Sequence, residues 1–236
     1  MKGKLETTVK AYIDLYNATT KRAQEAAETE KAKQAAWNNL FDTTKGECLN
    51  LKARADIRRK NSDLLNEINA ASAEKNIFSR MQKVICTSAE RAAAEIVLEE
   101  MNANPEKWSK FPIHYKKFKE LVTETFGEDV HIYRGGYGTH LGFNYLSPLK
   151  SIVLFYETAE RITPEVIENA RKGRPGFYRP EEIEPKVREA AKERAAYIEK
   201  YEAMKKELDA IREKYTSDLQ DIFPLVANLE TSNYRL

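Results

Sequence analysis

Helix breakers are missing from most of this chain. Nine of the 236 residues are glycine and eight are proline, yet neither type occurs in residues 4–45 or 47–104. A third such stretch lies between Pro185 and Pro224. Gaps of this length exclude a turn-rich sandwich or barrel over these segments and leave long helices. Cysteine is scarce: Cys48 and Cys86 stand alone, without CxxC spacing. That excludes a disulfide framework and a paired-cysteine zinc site, and the expectation is two buried structural thiols. No run approaches the ~20 apolar residues of a membrane span. Lys2, Lys4 and Glu6 lead directly into an amphipathic pattern, not into a signal-peptide core. An excess of one charge is absent too: 39 Lys and Arg stand against 37 Asp and Glu, a net charge of +2. Binding to nucleic acid would therefore rest on local patches. The expectation is a soluble, cytoplasmic chain with no membrane partner.

What is present is helical periodicity. The composition, 42% hydrophobic and 32% charged, is wetter than that of a compact globule and suits extended helices. Leu5, Val9, Tyr12, Tyr16, Thr19, Ala23, Ala26, Glu30, Lys33, Trp37 and Leu40 alternate in steps of four and three, the spacing of a coiled-coil seam. The seam turns polar at Thr19, Glu30 and Lys33, read either as a register or partner device or as a solvent-exposed stretch of a helical hairpin. Gly46 is the expected stop. In the second arm Leu64, Ile68, Ala71, Lys75, Phe78, Gln82, Ile85, Ala89, Ala92 and Ile96 keep the spacing. Ile77, Met81, Val84 and Ser88 form a parallel stripe, so this face is wide enough for two neighbours. Asn61-Ser62-Asp63 could start a new helix, and residues 47–104 are read as one helix or two. The third arm, 181–236, opens at Pro185. It carries the most regular seam: Val187, Ala190, Arg194, Tyr197, Tyr201, Met204, Leu208, Ile211, Tyr215, Asp218 and Ile222.

Between the arms, residues 105–180 change character. Four of the nine glycines and two of the three histidines fall between Val130 and Tyr156. Ile113–Phe126 reads as an amphipathic helix stopped by Gly127. Val130–Arg134 and Leu141–Tyr145 alternate as half-buried strands do, around a Gly135-Gly136-Tyr137-Gly138 turn. In a register with Ile132 opposite Leu141, Val130 meets Phe143 and Tyr133 meets His140. Ile152–Tyr156 suits a third strand, and Thr163 with Pro164 suits a helix start. The expected fold is α+β and predominantly helical. Coiled-coil-like arms form a three-helix bundle, or an antiparallel hairpin plus a returning helix, around a small central head with a β-hairpin or three-stranded antiparallel sheet. The expected division is 1–104, 105–180 and 181–236.

No catalytic motif covers the chain, and three function classes remain. The first is a non-catalytic binding protein, an adaptor or an inhibitor, for instance a phage or mobile-element inhibitor of a nucleoprotein machine. Its contact site is the stretch from Arg171 to Pro180, with four cations, no acid and two aromatics among glycines and prolines. Arginines beside aromatic rings are the chemistry of binding hot spots. The candidate residues are Arg171, Lys172, Arg174, Phe177, Tyr178 and Arg179, with Tyr137 from the glycine turn; the bland alternative is a linker sealing the head onto the last arm. A protein partner is expected, and homo-oligomerisation through the arms is possible. The second class is a nucleic-acid binder joining this stretch to Lys52, Arg54, Arg58, Arg59 and Lys60 and to Lys116, Lys117 and Lys119. The third is an enzyme with a His131, Tyr133, Arg134 and His140 site. His131-Ile132-Tyr133-Arg134-Gly135 resembles, over five residues, the strand bearing the nicotinamide-site arginine of ADP-ribosyltransferases. That family's Ser-Thr-Ser strand does not follow, so no function is carried over. Two histidines near Glu128 and Asp129 fall short of a metal motif, and no metal or cofactor is expected.

Overall fold

The computed structural model describes residues 2–41, 51–127, 130–135, 138–143, 152–155, 160–172 and 176–222. Helix predominates, as the missing breakers require. The elements are α1 (Lys2–Asn39), α2 (Leu51–Lys60), α3 (Ser62–Ala103), α4 (Pro105–Trp108), α5 (Lys116–Phe126), β1 (Val130–Gly135), β2 (Gly138–Phe143), β3 (Ile152–Phe155), α6 (Pro164–Lys172) and α7 (Pro180–Ile222). The chain divides into two compact units, Met1–Val187 and Arg188–Leu236.

In the first unit α1 and α3 form an antiparallel hairpin. The cross-links show the direction: Lys4 pairs with Glu99, Gln82 with Thr20, and Lys33 with Glu67, so numbers fall along α3 as they rise along α1. Leu5, Val9, Tyr12 and Thr19 are buried, and Ala23 and Ala26 pack at the edge of the core. The polar middle of the seam is a contact between these two helices. Glu30 pairs with Lys75, and hydrogen bonds from Lys75 and Ser72 hold its carboxyl below the ordinary carboxylate range. The pair is partly exposed, so it adds a polar contact specific to this register at the edge of the seam and little stability.

The boundaries of α1 and α7 differ from expectation, and the choice between one helix and two for the second arm is decided. Helix α1 ends at Asn39, before Gly46, with its last turn tightened by bonds from Leu40 N–H to Trp37 O and from Phe41 N–H to Asn38 O; Gly46 lies outside the described residues. The second arm is two helices, broken at Asn61. There the side chain does not cap forward: its amide donates back to Ile57 O at 2.9 Å, competing with the helical pattern. Helix α7 starts at Pro180, earlier than Pro185, which lies inside it. Proline suits a first helical position, and Glu182 accepts the Arg179 N–H at 2.8 Å, as an N-terminal capping carboxylate does.

After Asn104 the chain turns sharply. Trp108 is fully buried, stacked on Phe126 at 5.6 Å and edge-on to Phe118 at 5.8 Å. Helix α5 buries Phe118, Val122 and Phe126 and stops at Gly127, whose φ of 110° is a conformation that glycine alone adopts freely. The strands pair antiparallel in the order β1-β2-β3. Val130 lies opposite Phe143, Ile132 opposite Leu141 and Tyr133 opposite His140, with an irregularity between Thr139 and His140 on the β3 side. Val130 and Ile132 are buried with α5, Ile162 and α6 in one core continuous with the hairpin. The Thr163 hydroxyl accepts the Val166 N–H at 3.3 Å and starts α6.

The third arm departs most from expectation. Ile183 and Val187 are buried in the first unit, but from Lys192 to Thr216 every residue is exposed. The seam expected to form a bundle core is open to solvent, with Tyr197 70% and Leu208 59% exposed. Heptad spacing specifies which face of a helix is apolar; it does not specify what covers that face.

Candidate functional site

The segment from Gly176 to Arg179 lies across the helical hairpin, with its backbone tied down by three hydrogen bonds from two helices. Arg91 of α3 donates to Gly176 O at 3.0 Å, and the Tyr178 N–H donates to Ser88 Oγ of α3 at 3.4 Å. The Tyr12 hydroxyl of α1 donates to Tyr178 O at 2.6 Å. Burial, reinforced by Glu181 and Glu182, pushes the Tyr12 hydroxyl up to about 12, so it stays protonated and a donor near neutral pH. These ties hold the main chain and leave the rings outside: Phe177 is 37% and Tyr178 43% exposed. The Lys186 ammonium lies 5.7 Å from the Tyr178 ring centre and limits the positions that ring can take.

The anchors Tyr12, Ser88 and Arg91 were not among the residues singled out for function. Tyr12 and Ser88 read as ordinary members of apolar stripes, and sequence spacing cannot show a hydrogen bond to a residue so distant in the chain. Tyr12→Phe is expected to cost about 1 kcal/mol, the usual worth of one such bond. It should also speed amide exchange at Tyr178, and a wild-type exchange rate there would show the hydroxyl is not an anchor.

Of the cations in this stretch, Arg171 and Lys172 end α6. Arg171 faces Glu95 at 3.7 Å, and Lys172 faces Glu168 at 3.9 Å. Arg179 is exposed. Arg174 and Tyr137 lie outside the described residues. The other basic residues stand on separate elements. Lys52, Arg54, Arg58, Arg59 and Lys60 are exposed along α2, where Arg59 pairs with Asp56 at 3.0 Å. Lys116, Lys117 and Lys119 are exposed on α5, with Lys116 3.9 Å from Glu120.

Of the residues considered for catalysis, His131 and Arg134 are exposed on β1, and His140 is half-buried on β2. The third histidine, His114, has a more defined setting. Its Nε2 lies 3.0 Å from the hydroxyl of the buried Thr139. Burial, with Arg134 and Lys119 nearby, pushes its pKa below the usual imidazole value. Among the described residues no group of three or more His, Cys, Asp or Glu side chains could hold a metal ion. Cys86 is a free, half-buried thiol whose pKa is pushed up by burial and then by Glu90, the setting of an unreactive cysteine; Cys48 lies outside the described residues. No helix among the described residues is long and apolar enough to cross a membrane. No protein-family model, curated protein or solved structure matches the chain.

Proposed function

We propose that this is a non-catalytic protein-binding protein, an adaptor or an inhibitor, acting through its helical arms and a small α+β head. The carrying observation is the pair of exposed rings, Phe177 and Tyr178, on a backbone held by Tyr12, Ser88 and Arg91. An aromatic side chain that is already ordered loses little entropy when a partner covers it. Aromatic rings beside arginine are the residues that carry most of the energy in protein interfaces. Arg179 beside these rings completes that combination.

The test is capture by the full-length tagged chain from lysate, with and without nuclease, set against Phe177→Ala/Tyr178→Ala. The double substitution keeps the backbone bonds to Tyr12, Ser88 and Arg91, so the first unit should still melt cooperatively. Loss of two hot-spot rings, at roughly 2 kcal/mol per ring, is expected to weaken partner binding by about a thousandfold. A partner that resists nuclease and is lost in the double variant supports the reading. Equal retention by the two proteins refutes it, and a partner lost with nuclease replaces it with nucleic-acid binding.

A further inference from the structure

The exposed face of α7 carries a regular pattern. Tyr197, Tyr201, Met204, Leu208, Ile211 and Tyr215 are between 49% and 70% exposed, and they recur in steps of four and three. In heptad terms Tyr201, Leu208 and Tyr215 take position a, and Tyr197, Met204 and Ile211 take position d. A stripe like this on a helix is a coiled-coil seam whose partner has to be identified. The residues flanking it supply the identification. Positions g are Glu193, Lys200, Glu207 and Lys214, all exposed, so the sign of the charge alternates from one heptad to the next.

Alternation of this kind is self-complementary in one orientation. When two identical helices pair antiparallel, position g of one lies beside position g of the other. With the two-fold axis between residues 202 and 203, the nearest position-g pairs put Glu193 beside Lys214 of the second copy, and Lys200 beside Glu207. The same two contacts repeat across the axis, so four opposite-charge contacts form and no like-charge contact does. The register also closes the seam: Tyr201 packs on Met204 of the second copy, and Leu208 on Tyr197. In the parallel orientation position g meets position e of the next heptad. Lys200 would then meet Lys205 on both sides, cancelling the gain from Glu207 with Arg212. Charge at e and g sets partner and orientation in coiled coils.

We infer that the Glu193–Tyr215 face of α7 binds a second copy of this chain as an antiparallel coiled coil, centred between Glu202 and Ala203. The contact spans about 35 Å of helix. It is an isologous interface, in which each patch meets itself and the assembly closes at two.

Sedimentation of the full chain tests this. The wild type is expected at twice the 27.1 kDa mass of one chain, dissociating on dilution. Leu208→Asp should sediment as a single chain, with the thermal melt of the first unit unchanged. Lys200→Glu places glutamate against Glu207 twice, and is expected to raise the dissociation constant about tenfold. Lys200→Glu/Glu207→Lys restores opposite charges and should recover wild-type association. A wild-type chain that stays monomeric at high micromolar concentration overturns the proposal, whatever then covers the face. So does tighter association of Lys200→Glu, which would mean a parallel pair, or failure of the double exchange to restore it.

Discussion

Trp108→Ala is expected to remove about 3–5 kcal/mol from the stability of the first unit, as truncation of a large buried aromatic does. Trp108 is fully buried, and two further buried rings, Phe118 and Phe126, lean on it. Its removal leaves a cavity between the turn after α3 and the face of α5. Stabilities of ordinary domains are about 5–15 kcal/mol, so this one change can approach the total. Trp108→Phe should cost less. It keeps a ring in place and removes an indole N–H that is buried with no partner among the described residues. Urea denaturation of the two variants measures the difference. Equal midpoints for Trp108→Ala and wild type would mean that the α5 face does not depend on this ring.

The second large effect is a contrast between two seams. Ile85 and Leu208 both belong to apolar seams with heptad spacing, on α3 and α7, but Ile85 is 1% exposed and Leu208 is 59% exposed. Ile85→Asp puts a carboxylate into the hydrophobic core and is expected to cost the first unit about 4 kcal/mol or more, because burial strips the charge of its water. Leu208→Asp should leave the same thermal transition within about 0.5 kcal/mol of wild type, since Leu208 lies outside that unit. Differential scanning calorimetry on both variants decides the matter. A collapse of the first transition in Leu208→Asp would mean that the α7 seam is part of that unit's core.

This contrast marks where sequence reading stops. The missing glycine and proline made the long helices legible, since nothing in those stretches opposes helical hydrogen bonding. Local chemistry also located Thr163 as a cap and Gly127 as a stop, because each acts on backbone groups within a few residues of itself. Asn61 was legible as a break and misread in its mechanism: its side chain donates back to Ile57 O where a cap would accept a backbone N–H ahead, a choice that residue type and spacing leave open. The end of α1 at Asn39 depends on the last turn tightening, which no single residue announces.

The candidate site was legible in its residue types alone. Phe177, Tyr178 and Arg179 stood out as aromatic and basic residues among glycine and proline. Their support did not, because Tyr12, Ser88 and Arg91 reach them from helices far away in the chain. The sequence by itself determined that this protein is mostly helix, where its apolar stripes run and which signs of charge flank them. Those properties follow from backbone sterics and from periodicity, and both are local. Only the tertiary structure decided that α1 and α3 cover each other, that Glu30 and Lys75 meet in their seam, and that the α7 stripe is exposed in the single chain. Burial depends on which surfaces come together, and segments distant in sequence meet through the free energy of the whole chain.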